Sequence, residues 1–115
     1  MKSLLVCSNS TKDFKIVEEC DERRIISSAP DISILDEMGT YDKVVAVGGG
    51  AVIDTAKIIS KNPIICYPTT AAGSSATSWS VYWDATTKHS IKRMKPNQIA
   101  MNYIFVENLP DNVVK

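Results

Sequence analysis

The sequence predicts an α/β fold, a mostly parallel sheet with flanking helices and a C-terminal β-hairpin. Short β-branched runs alternate with stretches of helical pattern, which is typical of βαβ units. The clearest strand, residues 43–47 (KVVAV), is apolar without alternation, as expected of a central parallel strand that is covered on both faces. Three glycines follow it, where such a strand would turn into a helix.

The first half of the chain contains two predicted strands and two predicted helices. Phe14 and Val17 are three residues apart, a spacing that favours a helix around them. Gly39 can end the second helix, because glycine adopts the left-handed conformation with little strain. The predicted elements are a strand at 3–7, a helix at 11–20, a strand at 24–27 and a short helix at 30–38.

The second half begins with strand 43–47 and ends in β structure. Residues 69–78 are small and polar, a composition that suits a loop with its backbone against a ligand. Residues 84–87 separate two β-like runs and predict the turn of a hairpin. The remaining predicted elements are a helix at 51–61, strands at 63–67 and 104–106, and hairpin strands at 79–83 and 88–91.

Length, charge and hydropathy argue against several classes of function. A chain of 115 residues suits one domain with a single core. Lys plus Arg equal Asp plus Glu at 13 each, so the excess positive charge that favours nucleic acid or an anionic membrane is lacking. No apolar run approaches the ~18 residues of a membrane-spanning helix. We therefore expect a cytoplasmic protein that binds neither nucleic acid nor membranes.

Metal-ligating residues are few. Cys7, Cys20 and Cys66 have unrelated spacings, and His89 is the one histidine. A catalytic metal usually needs several His, Cys or carboxylate ligands that converge on one point. We expect reduced, structural cysteines and no complete metal site in this chain.

The glycine cluster predicts a phosphate site. A strand followed by Gly48, Gly49 and Gly50 and then a helix would present backbone NH groups and the positive end of the helix dipole. Asp54 is expected in the first helical turn, where it could cap NH groups or bond a nucleotide, with Lys57 one turn later. Thr69 would follow the neighbouring strand, at the same edge of the sheet. The alternative is a tight turn without a ligand.

Two segments resemble a known family. GGGAVIDTAK (48–57) and YPTTAAGSSATSWSVYWD (67–84) are similar to the paired signatures of the iron-containing alcohol dehydrogenase and glycerol dehydrogenase superfamily, whose fold dehydroquinate synthases share. The similarity continues through residues 88–110, which resemble the end of the first domain of that superfamily. The resemblance implies a Rossmann-like domain that binds NAD or NADP, from an enzyme that oxidises small alcohols or reduces aldehydes.

The resemblance also implies which residues contact the cofactor. The glycine turn and the helix start would border the pyrophosphate, the loop after Pro68 would contact the cofactor, and two serines would lie near the nicotinamide and its ribose. No residue of this chain matches a catalytic or metal-binding position. The implied cofactor-binding residues are Gly48, Gly49, Gly50, Ala51, Val52, Asp54, Thr69, Thr70, Ala72, Ser78 and Ser80.

The chain departs from the family pattern in three places. The metal ligands of the family lie in a helical second domain, so residues 1–115 are expected to be a single truncated nucleotide-binding domain without it. Ser8 and Asn9 follow the first strand where relatives often carry an NAD-selecting Asp, which leaves NAD and NADP open. The loop at 71–76 reads AAGSSA, where relatives usually read close to AGTGSE.

Three functions therefore stay open. In the first, the chain is a cofactor-binding domain that is inactive alone and is completed by a second polypeptide with the metal domain. Alternatively, it is a non-catalytic module that acts in interactions or forms a homo-oligomer through exposed apolar surface. A lyase-like relative of dehydroquinate synthase ranks last.

Overall fold

The structure is a computed structural model that describes residues 2–15, 19–69, 76–98 and 105–106. In chain order the elements are β1 (Ser3–Cys7), β2 (Phe14–Lys15), β3 (Glu22–Ile25), a 3₁₀ helix (Ile32–Glu37), β4 (Lys43–Gly48), α1 (Gly50–Ile59), β5 (Ile65–Pro68), β6 (Trp79–Asp84), β7 (Thr87–Lys92), β8 (Asn97–Gln98) and β9 (Phe105–Val106). Five of the strands form one parallel sheet in the order β3-β1-β4-β5-β8. The predicted α/β fold with a mostly parallel sheet is confirmed.

The two faces of the central strands pack into different clusters. Residues of a strand point alternately to opposite faces, so Val44 and Ala46 belong to one cluster and Val45 and Val47 to the other. The first cluster includes the apolar side chains of α1 and Ile34 of the 3₁₀ helix. All four of these β4 residues are buried, as predicted for a strand covered on both faces.

Local sequence signals placed most of the strands and helices to within about two residues. Strand β1 matches its predicted bounds, while β3 begins and ends two residues earlier than predicted. Asp31 caps the 3₁₀ helix by accepting a hydrogen bond from the backbone N–H of Ser33 at 2.9 Å. Gly39, which follows this helix, has a φ of 68°, the left-handed conformation expected of it.

The predicted helix at 11–20 is wrong. Residues Phe14–Lys15 form a strand that pairs antiparallel with Phe105–Val106, and residues 16–18 lie outside the described part of the chain. The hydroxyl of Thr11 accepts from the N–H of Ser8 at 2.9 Å and donates to the carbonyl of Val47 at 2.8 Å. These bonds close a turn where a helix would have started. The partner strand is about ninety residues away in sequence, so local spacing cannot reveal it.

The predicted hairpin is confirmed. Strands β6 and β7 pair antiparallel, from Asp84 opposite Thr87 to Trp79 opposite Lys92. The loop between them is two residues long, and Ala85 in it has a φ of 53°. The N–H of Trp83 donates to the carbonyl of Pro30 at 2.9 Å, which joins the hairpin to the start of the 3₁₀ helix. The hairpin is therefore fixed to the face of the sheet that carries α1.

Candidate functional site

The glycine turn and the start of the Thr69 loop lie side by side. Strands β4 and β5 are parallel neighbours, and Gly48 is directly opposite Pro68 in their register. The N–H of Thr69 donates to the carbonyl of Gly48 at 3.1 Å. Both segments therefore emerge at the carboxyl edge of the sheet, where open α/β sheets collect their ligands. Of the predicted loop residues, Thr70 and Ala72 lie outside the described part of the chain.

No side chain of the described residues caps the start of α1. Gly49 is the N-cap residue, in extended conformation, and no side-chain hydrogen bond caps the helix there. Its carbonyl accepts the first helical bond, from the N–H of Ile53 at 3.1 Å. The first N–H groups of a helix have no partner within the helix and carry its positive dipole end. Gly49, Gly50 and Ala51 are partly exposed, so an anion can approach these groups.

Gly48 and Val52 serve packing as well as the turn. A Cβ atom at Gly48 would lie 2.9 Å from Cγ2 of Val52, which is closer than two carbon atoms normally come. Glycine at this position therefore lets α1 pack closely against the end of β4. Since the side chain of Val52 is buried, its backbone is the part that can border a ligand.

Asp54 is not in the first helical turn. Because α1 begins at Gly50, this residue lies in the second turn, and the predicted capping role is wrong. Its side chain is mostly buried, with Oδ1 3.9 Å from Nζ of Lys57. Contact with a cofactor stays a prediction for Asp54.

Lys57 connects α1 to the beginning of the hairpin. Its side chain is fully buried, and Nζ donates to the carbonyl of Thr77 at 3.2 Å and to the carbonyl of Trp79. Burial lowers the pKa of this ammonium, while the nearby Asp54 and Cys66 oppose the shift. Burial likewise raises the pKa of the Cys66 thiol to about 11, an effect that Lys57 opposes.

The two predicted serines flank these contacts. Ser78 is half-buried, and its carbonyl accepts from the N–H of Arg93 at 2.6 Å. Ser80 is fully buried, and its Oγ has no hydrogen-bond partner among the described residues. A direct bond from Ser80 to a ligand would require the surface above it to open. Both assignments to the cofactor stay predictions.

A hydroxyl cluster lies at the end of β1, beside the glycine turn. The Oγ atoms of Ser8 and Ser10 are 2.9 Å apart, and Ser8 Oγ is 3.0 Å from Thr11 Oγ1. Cys7 pairs with Val47, the residue before Gly48, so this cluster adjoins the same edge of the sheet. The polar surface at this edge of the sheet therefore extends to the end of β1.

A cavity of about 230 Å³ lies between the end of β3, the 3₁₀ helix and α1. Its polar lining includes Ser27, Ser28, Asp31, Ser33 and Thr55. No periodic or motif signal in the sequence indicates this cavity, because it forms only when α1 packs beside the segment that joins β3 to the 3₁₀ helix.

No group of three or more His, Cys, Asp or Glu side chains comes together among the described residues to hold a metal ion. These residues therefore do not fit a metal centre. None of the described helices has both the length and the apolar character to cross a bilayer.

Comparison with known families decides the assignment. The family model of iron-containing alcohol dehydrogenases matches residues 6–110 of the chain. The chain belongs to the iron-containing alcohol dehydrogenase family. The match includes the glycine turn, the Thr69 loop and the hairpin, so it covers every residue proposed from the resemblance. No curated protein matches the chain significantly in sequence.

Solved structures share the fold of this family member. An iron-containing alcohol dehydrogenase from Corynebacterium glutamicum aligns with a TM-score of 0.68 and 22% identity, over 87% of this chain and 33% of that one. A maleylacetate reductase from Agrobacterium tumefaciens aligns with a TM-score of 0.66 and 16% identity, over 86% and 33%. An iron-containing alcohol dehydrogenase from Thermococcus thioreducens aligns with a TM-score of 0.64 and 18% identity, over 86% and 39%. The chain thus spans about a third of the length of these enzymes.

Two residues important for the site geometry were missed or left without a role at the sequence level. Arg93 was not singled out, and Lys57 was placed on the correct side of α1 without its partners. Their hydrogen bonds go to main-chain carbonyls of distant residues, which carry no sequence signature. A lysine in a largely apolar helix was the available sequence signal for Lys57.

Proposed function

We propose that this chain binds a nicotinamide dinucleotide, NAD or NADP, across the carboxyl edge of its sheet. The pyrophosphate would lie on the N–H groups at the start of α1, and Thr69 and the hairpin serines would contact the rest of the molecule. The observation that carries the proposal is the uncapped helix start beside the Thr69 loop. The family match supports it, because it includes both segments.

The whole-enzyme activity that we propose is hydride transfer between the dinucleotide and a small alcohol or aldehyde. In such a reaction the nicotinamide carries the hydride, and these residues bind and orient it. Metal-assisted chemistry would need ligands from a further segment or a second polypeptide, since the described residues do not fit a metal centre. We therefore expect dinucleotide binding by this chain and no alcohol oxidation by it alone.

Replacement of Gly49 tests the phosphate site. Asp is a good N-cap residue in the extended conformation that Gly49 has, so Gly49→Asp should raise the stability of α1 by a few tenths of a kcal/mol. Its carboxylate would also occupy the N–H groups and repel a pyrophosphate. We expect the melting temperature to rise slightly while the Kd for NADH or NADPH increases at least about tenfold.

Gly49→Asn is the matched control, because it caps the helix without a charge. Its affinity should fall between those of the native chain and Gly49→Asp, as measured by calorimetry and nicotinamide fluorescence. Native affinity in Gly49→Asp, with the chain folded, would place the dinucleotide elsewhere. No binding of either dinucleotide by the native chain at millimolar concentration would contradict the proposed function itself.

Self-association is a second candidate function. Three apolar residues near the sheet edge formed by β3 are unusually exposed: Ile25, Ile32 and Met38 at 43%, 45% and 37%. An edge strand also presents backbone groups that can pair with another chain. Sedimentation of the native chain and an Ile25→Lys variant measures this directly, and a concentration-independent monomer would exclude it.

A further inference from the structure

The buried ammonium of Lys57 links α1 to the hairpin, the two elements that form the candidate site. Lys57 lies on α1, whose first turn is the proposed pyrophosphate site, and it donates to the carbonyls of Thr77 and Trp79 at the start of β6. Asp54 lies on the same helix, 3.9 Å from the ammonium. The contact therefore fixes the beginning of the hairpin relative to the helix start.

A second cation, Arg93, follows β7 and bonds both the start of the hairpin and α1. The backbone N–H of Arg93 donates to the carbonyl of Ser78, and its guanidinium donates to the carbonyls of Lys57 and Ser60. Ser78 is thus held between residues that are themselves bonded to α1. All these bonds end on main-chain carbonyls, so they control where the backbone of the hairpin lies.

Burial of a lysine is costly, and packing alone does not require it. Desolvation of an ammonium is compensated only by well-placed hydrogen bonds and opposite charge, whereas a Met of similar length would fill the same space without that cost. The lowered pKa of Lys57 reflects this desolvation. Directional bonds to the hairpin are what the ammonium adds.

We propose that Lys57 is a positioning residue, which holds the hairpin at the distance from α1 at which both can contact a single dinucleotide. This inference rests on the proposed cofactor site. It predicts that Lys57 matters for ligands that reach from the helix start to the hairpin and not for ligands that occupy the helix start alone. ADP, which has the pyrophosphate without the nicotinamide riboside, is such a shorter ligand.

The tryptophans of the chain can report the position of the hairpin relative to a bound nicotinamide. Both of its tryptophans, Trp79 and Trp83, lie on β6, and Trp79 is 52% exposed. Tryptophan emission can transfer energy to a reduced nicotinamide, and the transfer falls steeply with distance. Energy transfer therefore reports the separation between hairpin and nicotinamide, independently of any activity.

The experiment compares NADH, NADPH and ADP on the native chain and on Lys57→Met. We expect the dinucleotide Kd to rise about tenfold in the variant, energy transfer to decrease, and the ADP Kd to stay within about twofold. Lys61→Met is the matched control, because Lys61 follows α1 and its side chain is 63% exposed. It should leave all three affinities unchanged.

The outcomes separate the inference from the proposed function. Equal weakening of ADP and dinucleotide in Lys57→Met means a purely structural lysine and overturns the inference. Unchanged affinities and energy transfer overturn it as well. If the native chain binds neither ADP nor dinucleotide, the proposed cofactor site itself fails.

Two further measurements keep the test decisive if Lys57→Met does not fold. Asp54→Asn/Lys57→Met removes both charges and leaves no isolated buried carboxylate; relative to Asp54→Asn alone, it should weaken the dinucleotide about tenfold and leave the ADP Kd within about twofold. On the native chain, hydrogen exchange should show protection of the amides of Trp79–Asp84 by the dinucleotide and not by ADP. Equal protection by both ligands would contradict the proposed division between helix start and hairpin.

Discussion

The two ends of α1 differ in the hydrogen-bond partners of their backbone groups. At the N-terminal end, the N-cap residue Gly49 has no side chain, and no side chain in the described part of the chain caps the helix. At the C-terminal end, the N–H of Ser60 donates to the carbonyl of Ala56, and the guanidinium of Arg93 bonds the carbonyls of Lys57 and Ser60. A helix has unsatisfied backbone groups at both ends. Here the described residues satisfy those of the C-terminal end, whereas none of the described side chains caps the N-terminal end.

This asymmetry separates stability from binding along one helix. The ten residues of α1 span about 15 Å, so a change at one end leaves the other end in place when the helix persists. Substitutions that remove bonds at the C-terminal end should lower the free energy of unfolding without changing the affinity for ADP, which would occupy only the helix start. Three further substitutions test the contacts around the two ends of α1 and in the hairpin.

The largest effect is expected from Arg93→Met. The variant loses two charge-assisted hydrogen bonds, at 3.1 and 2.6 Å, to carbonyls of Lys57 and Ser60. Such bonds contribute about 1.5–3 kcal/mol each, so we expect a loss of about 3 kcal/mol in the free energy of unfolding, measured with urea. Lys92→Met, at an exposed neighbouring position, should change it by less than about 0.5 kcal/mol.

The ligand measurement sharpens this prediction. ADP affinity of folded Arg93→Met should equal that of the native chain, because the substitution affects the C-terminal end. A loss below about 1 kcal/mol would show that water replaces the guanidinium easily at these carbonyls. The end of the helix would then be less dependent on Arg93 than its geometry suggests.

Gly48→Ala should have an intermediate effect. Its Cβ would lie 2.9 Å from Cγ2 of Val52, and overpacking of this kind costs about 1–3 kcal/mol. Gly48→Ala/Val52→Ala removes the obstructing atoms, so the two single effects should not add, with a coupling of about 1 kcal/mol or more in urea unfolding. Additive effects would mean that the backbone of Gly48, and not contact with Val52, requires glycine.

The smallest effect is expected at the hairpin turn, which precedes the strand that leads to Arg93. Ala85 has a φ of 53°, a conformation that Asn tolerates better than Ala. Ala85→Asn should raise the free energy of unfolding by about 0.5 kcal/mol. Ala85→Val should lower it, since a β-branched side chain is strained there. Melting temperatures of both variants check the sign, and the reverse order would show that the turn relaxes.

Much of the fold was predictable because its signals are local. The apolar run of β4, the glycines after it, the helical pattern of α1 and the turn between β6 and β7 depend on nearest neighbours in sequence. Adjacency of Gly48 and Thr69 also followed from the sequence, because neighbouring parallel strands end at one edge of a sheet. The family assignment rests on the same segments.

Errors arose where distant residues decide the structure. Strand β2 pairs with β9, so the helical spacing of its segment was overridden by a partner far along the chain. Strand β8 is short and polar, and its pairing with β5 makes it a strand. The placement of Asp54 is a local error: α1 begins at Gly50, one residue earlier than predicted, so Asp54 lies in the second turn.

The amino-acid sequence by itself determined the class of fold, the central strand, the glycine turn and the family. Tertiary structure alone decided that distant groups bond the carbonyls at the end of α1, and that Lys57 and Arg93 hold the hairpin to this helix. The reason is physical: periodicity and turn chemistry act over a few residues, whereas a side chain that bonds a distant main-chain carbonyl has a partner only after the chain has folded.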